Sequence, residues 1–158
     1  MSDQKLYEGL FDLIYTSEQC NACINALQHA LDASYNKNKD IMSVLDTYLP
    51  YNITNAILEL AEEQHIQLRD SDSATPFLTD IMNMLKDAPK VDITLAFHPT
   101  YEQLKGILKW WREEIEPNII LNLQIDPSLV AGAVIGYKGE INNLSLQEGL
   151  NTFLKKPN

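Results

Sequence analysis

Long apolar runs are missing from this chain of 158 residues. No stretch approaches the roughly 20 consecutive apolar residues that a membrane-spanning helix needs. Basic clusters are missing too. The only local pair is Lys155-Lys156, whereas gripping a phosphate backbone takes clustered Lys and Arg, so a net charge of −10 argues against a nucleic-acid partner. Cysteine is scarce: two residues, three apart, cannot make the framework of a small extracellular disulfide domain. The opening Met1-Ser2-Asp3-Gln4 has neither a signal-peptide nor a transit-peptide pattern. Together these absences describe an intracellular, reduced protein. No GxGxxG or GxxxxGK run is present to cradle a phosphate, so no cofactor is expected. Internal repeats and low-complexity tracts are absent as well.

What is present suffices for a folded core. Hydrophobic residues make up 45% and charged residues 22%, close to the soluble average. The acidity is lopsided. Residues 1–90 hold 14 acids and 6 bases (−8), and residues 91–158 hold 8 acids and 6 bases (−2). That shift divides the chain into two units with different surfaces, of which the acidic one favours basic partner segments.

Up to Lys90 the apolar period is helical. Leu6, Leu10, Leu13 and Ile14 mark a first helix. Ser17 is positioned to cap a second, with Cys20, Cys23, Ile24, Leu27, Ala30 and Leu31 on its stripe. Asn36-Lys37-Asn38-Lys39 ends it. Ile41, Val44, Leu45 and Leu49 define a third, stopped by Pro50. In the fourth, Ile53, Ala56, Ile57, Leu60, Ala61, His65 and Leu68 share one face, and Glu59, Glu62, Glu63 and Gln67 take the other. After an expected loop at Asp70–Ser73, Thr75 caps a fifth helix with Pro76 at its first position, running through Leu78, Ile81, Met82 and Leu85.

After Lys90 the pattern changes. Val91–Phe97 reads as a strand. A helix opens at Pro99-Thr100, buries Tyr101, Leu104, Ile107, Leu108, Trp111 and Ile115, and closes at Pro117. Ile119–Ile125 alternates as a half-buried strand. Asp126-Pro127-Ser128 turns into a strand at Val130–Tyr137, and Lys138-Gly139-Glu140 turns again. Ser145 and Glu148 form a capping box for a last helix. The expected fold is therefore α+β: an N-terminal bundle of about five helices over 1–90, then a small β-α-β-β-α domain over 91–158.

Residues able to carry chemistry are few. Cys20-Asn21-Ala22-Cys23 has dithiol spacing. A working dithiol belongs at a helix N-terminus after a strand, whereas both thiols here lie on the apolar stripe, so packed core cysteines are favoured over a redox pair. A zinc site needs two more ligands, and His29, His65 and His98 lack finger-like spacing. Glu62-Glu63 and Glu113-Glu114 are adjacent on helices and diverge by about 100 degrees, which suits solvated faces better than an acid/base couple. No catalytic, metal or cofactor residue is assigned. Trp111 lies on the buried stripe, but Trp110 points away from it and is a candidate interface anchor.

From Val91 onward the chain resembles the C-terminal domain of the delta subunit of F-type ATP synthases, the oligomycin-sensitivity-conferring protein family. Ile93-Thr94-Leu95-Ala96 followed by Tyr101-Glu102-Gln103-Leu104 is similar to the family's Val-Thr-Ser-Ala strand and Glu-Gln-Leu helix. Ile125-Asp126-Pro127-Ser128-Leu129-Val130-Ala131-Gly132-Ala133-Val134-Ile135 is similar to its Ile-Asp-x-Ser-Leu-Ile-Gly-Gly-x-x-Ile. Ser145 and Leu150 fall on family positions further along. Gly9-Leu10-Phe11-Asp12-Leu13 looks like the family's Ala-Leu-Phe-Glu-Leu. Gly136 stands in place of an Arg, Asn143-Leu144 replaces Asp-Gly, and the helical part is short.

The resemblance implies a stator subunit without catalysis, peripheral on the cytoplasmic face of the membrane within a larger complex. Its N-terminal bundle would grip N-terminal helices of the alpha subunit, and its C-terminal domain would meet the C-terminus of the stalk b subunit. The family's groove between first and fifth helices makes Leu6, Leu10, Ile14, Phe77, Ile81 and Leu85 the candidate partner-helix groove, with Trp110 at the second interface. An adaptor of the same fold outside the ATP synthase, or a small thiol protein, are the alternatives.

Overall fold

The computed structural model describes residues 7–36 and 40–144. The chain forms two compact units, Met1–Ile14 with Glu18–Ala88 and Tyr15–Ser17 with Pro89–Asn158. Sequence reading put the division after Lys90; the compact units divide after Ala88, and Tyr15–Ser17 go with the second. Both Leu6 and the expected last helix at Ser145 lie outside the described residues.

The first unit is helical: α1 (Glu8–Phe11), α2 (Ser17–Ser34, whose first residue belongs to the other unit), α3 (Ile41–Tyr48), α4 (Tyr51–Glu63) and α5 (Ser71–Asp87). Along α2 the buried positions Cys20, Cys23, Ala26, Leu27, Ala30 and Leu31 recur every three or four residues, so one face is consumed by the core. Ser17 is the first residue of α2 rather than its cap, and its hydroxyl is buried without a partner among the described residues. α3 is capped by Asp40, whose side chain accepts from the Ser43 N–H. Pro50 ends α3 and also sits at the N-cap of α4.

Two helix ends depart from the sequence pattern. α4 stops at Glu63 because His65 adopts a left-handed φ of 57°. The His65 N–H then bonds the Glu62 carbonyl at 3.0 Å and the Ile66 N–H bonds the Ala61 carbonyl at 2.7 Å, the paired closure of a Schellman motif. His65 is thus an exposed end residue and not part of an apolar helix face. α5 starts earlier than expected. Asp70 caps it by accepting from the Asp72 N–H and, at 2.8 Å, from the Ser73 hydroxyl, so Asp70–Ser73 is a cap and first turn rather than a loop. Pro76 therefore lies inside α5, where its missing N–H leaves the Asp72 carbonyl without its helical donor.

Among the described residues, the second unit is a four-stranded mixed sheet with one α-helix. Its elements are β1 (Lys90–Leu95), α6 (Tyr101–Glu114), β2 (Ile120–Ile125), a 3-10 turn (Pro127–Leu129), β3 (Ala133–Tyr137) and β4 (Glu140–Asn143), in sheet order β2-β1-β3-β4. β1 and β2 are parallel, with Ile93 beside Leu123, and α6 makes the crossover that a parallel pair requires. β3 runs antiparallel to β1, with Ile93 beside Ile135, and β4 antiparallel to β3. Thr16 adds a parallel bridge to Leu121. Alternation puts Val91, Ile93 and Leu121 on one face, where Leu108 and Trp111 of α6 complete the core. α6 begins in a full capping box: Gln103 N–H donates to the Thr100 hydroxyl, and the Thr100 N–H donates to the Gln103 side chain at 2.8 Å. β4 was not expected from the sequence. Lys138 and Gly139, at φ 48° and 86°, form the tight turn that creates it.

Candidate functional site

The six-residue groove expected across the first and fifth helices is not a surface feature. Leu10, Ile14, Ile81 and Leu85 have no exposed area and Phe77 has almost none. All five are closed within the helical unit, so they cannot receive a partner without the unit opening. This corrects the expectation for Leu10, Ile14, Phe77, Ile81 and Leu85; Leu6 is outside the described residues. Trp110 is 53% exposed on α6, edge-on to the buried Trp111 at 5.4 Å between ring centroids.

Cys20 and Cys23 are both free thiols with no exposed area. The Cys20 thiol donates to the Leu85 carbonyl at 3.4 Å. Burial first, and the neighbouring Cys20 second, push the Cys23 thiol up from 9.0 to about 12. A working dithiol needs the opposite, an exposed and lowered thiol. His29, His65 and His98 are all exposed, as are Glu62, Glu63, Glu113 and Glu114. Among the described residues no group of His, Cys, Asp and Glu could hold a metal ion, and no helix is long and apolar enough to cross a membrane.

The segment that carries the resemblance has a distinct local construction. At the end of β2 the Asp126 N–H bonds the Leu95 carbonyl at 2.8 Å, tying β2 to β1. The Asp126 carboxylate then accepts from the Ser128 hydroxyl at 2.6 Å and the Ser128 N–H at 2.9 Å. Those two bonds, the hydroxyl's first, hold the Asp126 carboxyl below the usual carboxylate range. Leu129 plugs the core, and Val130 turns at φ 64°, where the Ala131 N–H reaches the Leu129 carbonyl at 2.7 Å. Gly132, at φ 93°, adopts a conformation that side chains disfavour. Gly136 is different: a Cβ there would meet the Asp92 Cβ at an ordinary 3.5 Å, so space does not demand glycine.

Near the far end of α6, Glu116 accepts from the Tyr137 hydroxyl and pairs with Lys138 at 3.1 Å. These partners, Tyr137 first, lower the Glu116 carboxyl, and Glu116 in turn raises both Tyr137 and Lys138. The cluster fixes the β3–β4 turn against the helix end and packs Tyr137 edge-on to Trp111 at 5.2 Å.

Sequence reading missed one feature of the helical unit. Between α1 and α4 runs a groove of about 610 Å³, with Glu8 and Asp12 on one side and Glu59 and Glu63 on the other. Leu10 and Leu60 lie beneath it, closed or nearly so, and the half-buried Leu13 also lines it. Both acid pairs are four residues apart, a spacing legible in the sequence. No family model matches this chain, and no curated protein sequence matches it.

Proposed function

We propose that this chain is a non-catalytic connector of the delta type, linking the catalytic head of an F-type ATP synthase to its peripheral stalk. The observation that carries the reading is the likeness of Ile125–Ile135 to the family pattern. The division into an acidic helical unit and a mixed-sheet unit supports it, since two bodies with different surfaces suit two partners. The construction around Asp126 also supports it: the pattern's Asp and Ser act together as a turn cap, and its last Gly adopts a positive φ. Trp110, half-exposed on α6, is the candidate anchor for the stalk. In this reading the protein is peripheral to the membrane and held there by its partners.

The test is reconstitution. The full chain would be mixed with a catalytic head stripped of its own delta subunit and with a soluble b-subunit dimer. A ternary complex on gel filtration, absent when the chain is left out, is the expected result. If the chain binds neither partner, the stator reading fails and an adaptor of the same fold takes its place.

A further inference from the structure

We propose that Tyr15–Ser17 is a strap that makes the folding of the sheet unit depend on the helical unit. The chain leaves the helical unit after Ile14, runs through the sheet unit for Tyr15–Ser17 and returns at Glu18. Its ends are fixed, since Ile14 and Cys20 of the helical unit have no exposed area. Its middle completes the edge of the sheet. The two units therefore open together, and whatever steadies one steadies the other. This coupling is independent of the connector reading and of who the partners are.

Backbone and side chain both tie the strap to the sheet. The Ile120 N–H bonds the Pro89 carbonyl at 2.8 Å, so the next N–H, that of Leu121, points to the outer side of β2. There it meets the Tyr15 carbonyl at 2.9 Å, and Thr16 forms the parallel bridge to Leu121. The Tyr15 ring packs against the core that holds Val91, Ile93, Leu108, Trp111 and Leu121. It stands edge-on to Tyr101 at 5.4 Å, with the two hydroxyls 2.9 Å apart. The opposite edge, β4, is exposed at every residue. Among the described residues only the β2 edge carries such a cover, the device by which sheets keep an edge from pairing elsewhere. A linker that merely joined α1 to α2 would need no bond to the sheet and no ring in its core.

The direction of the dependence follows from entropy. Ordering three free residues costs more than one bridge and one half-buried ring return, so a loose strap would not stay on β2. Held at both ends by the helical core, it is already placed, and docking costs little. Three residues span roughly 10 Å at full extension, which leaves almost no slack while Ile14 and Cys20 stay buried. When the helical unit opens, that placement is lost and the β2 edge is bare. Linkage makes the effect reciprocal: a docked strap resists the withdrawal of Ile14 from the helical core.

The chain carries a separate reporter in each unit, since both tryptophans lie in the sheet unit and both cysteines in the helical one. The full chain is unfolded in urea, with tryptophan fluorescence reading the first of these and pulsed thiol labelling the second. In the unmodified chain the two midpoints should coincide. Tyr15→Ala with Thr16→Gly strips the ring and loosens the strap. It should lower the tryptophan midpoint by about 1 M urea and leave the thiol midpoint within about 0.3 M. Tyr15→Phe keeps the ring and loses only the hydroxyl contact to Tyr101, so it should open a smaller gap. Tyr35→Ala, at an exposed tyrosine of the helical unit, should open none. Hydrogen exchange gives the local check: in the double variant the Leu121 amide should lose about tenfold more protection than the Ile120 amide, which bonds Pro89 instead. Separate midpoints in the unmodified chain would overturn the proposal. So would a double variant whose midpoints stay together, or Leu121 and Ile120 amides that respond alike. If the double variant does not fold, the gap in Tyr15→Phe decides in the same way.

Discussion

The buried thiol pair offers the sharpest test of the helical core. Cys23 is wholly enclosed, and its thiol is raised from 9.0 to about 12 by that enclosure and by Cys20 beside it. At pH 8 a thiol at 9.0 is about one-tenth thiolate, and one at 12 about one part in ten thousand, so ionisation alone slows alkylation about a thousandfold. Loss of access adds to this, because a reagent must wait for the helices to open. Native protein treated with iodoacetamide at pH 8 should therefore label at least about a thousandfold more slowly than protein in guanidinium, followed by mass spectrometry. The same shift sets a pH dependence. The folded pKa is above the unfolded one, so the stabilisation is complete below pH 9 and is lost as pH rises from 9 toward 12. By pH 10 the loss from this group is about 1.4 kcal/mol. Cys20→Ala with Cys23→Ala should cost on the order of 1 kcal/mol per site and remove the alkaline fall while leaving partner binding intact. Native labelling within tenfold of the denatured rate would refute the packing argument and revive the redox reading.

Trp111 and Trp110 should separate cleanly. Trp111→Ala removes a buried ring packed on Leu108 and Tyr137 and should cost about 3–5 kcal/mol in urea unfolding, whereas Trp110→Ala loses only an edge contact and should cost less than about 1.5 kcal/mol while impairing stalk binding. Thr54 of α4 is 2% exposed, and its hydroxyl is buried without a partner among the described residues. Thr54→Val keeps the shape and removes the stranded polar atom, so it should raise stability by about 1 kcal/mol; a fall in melting temperature would show that the hydroxyl is satisfied.

The elements read most directly from sequence are those whose period is enforced by a single buried face. β1 and α6 follow from alternation and a helical stripe, whereas in β2 the alternation is broken at its start, where Ile120, read as facing away from Ile119 and Leu121, is buried as fully as they are. β4 escaped because Glu140, Asn142 and Asn143 are polar and exposed, so its pairing comes from the turn at Lys138-Gly139 and not from burial. α4 was read too long because its closing residue is His65 rather than glycine, and a histidine in the left-handed region leaves no signal in the pattern. α5 was read too short because Pro76 suggests a first position, while the Asp70 cap lies six residues earlier. The candidate groove failed for a further reason. Periodicity names the apolar face of each helix, but how far neighbours cover that face is a tertiary fact. Leu10 and Ile81 were correctly placed on stripes and wrongly left open.

On the connector proposal, the burial of these stripes limits how a partner could be held. Leu10, Ile14, Phe77, Ile81 and Leu85 are closed inside the helical unit, so these five cannot hold a partner by burial. Between α1 and α4 the lining carries Glu8, Asp12, Glu59 and Glu63, where exposed charge pairs are worth little each and weaken with salt. Such a contact forms fast and releases fast. A stator must nonetheless resist torque. The two needs are compatible if grip comes from linkage. Two contacts of about 10 μM each, joined so that the second sees an effective concentration of about 1 mM, give an apparent affinity near 0.1 μM without any new interface. Tight holding would then belong to the full assembly, and each partner offered alone would bind weakly and in a salt-dependent way.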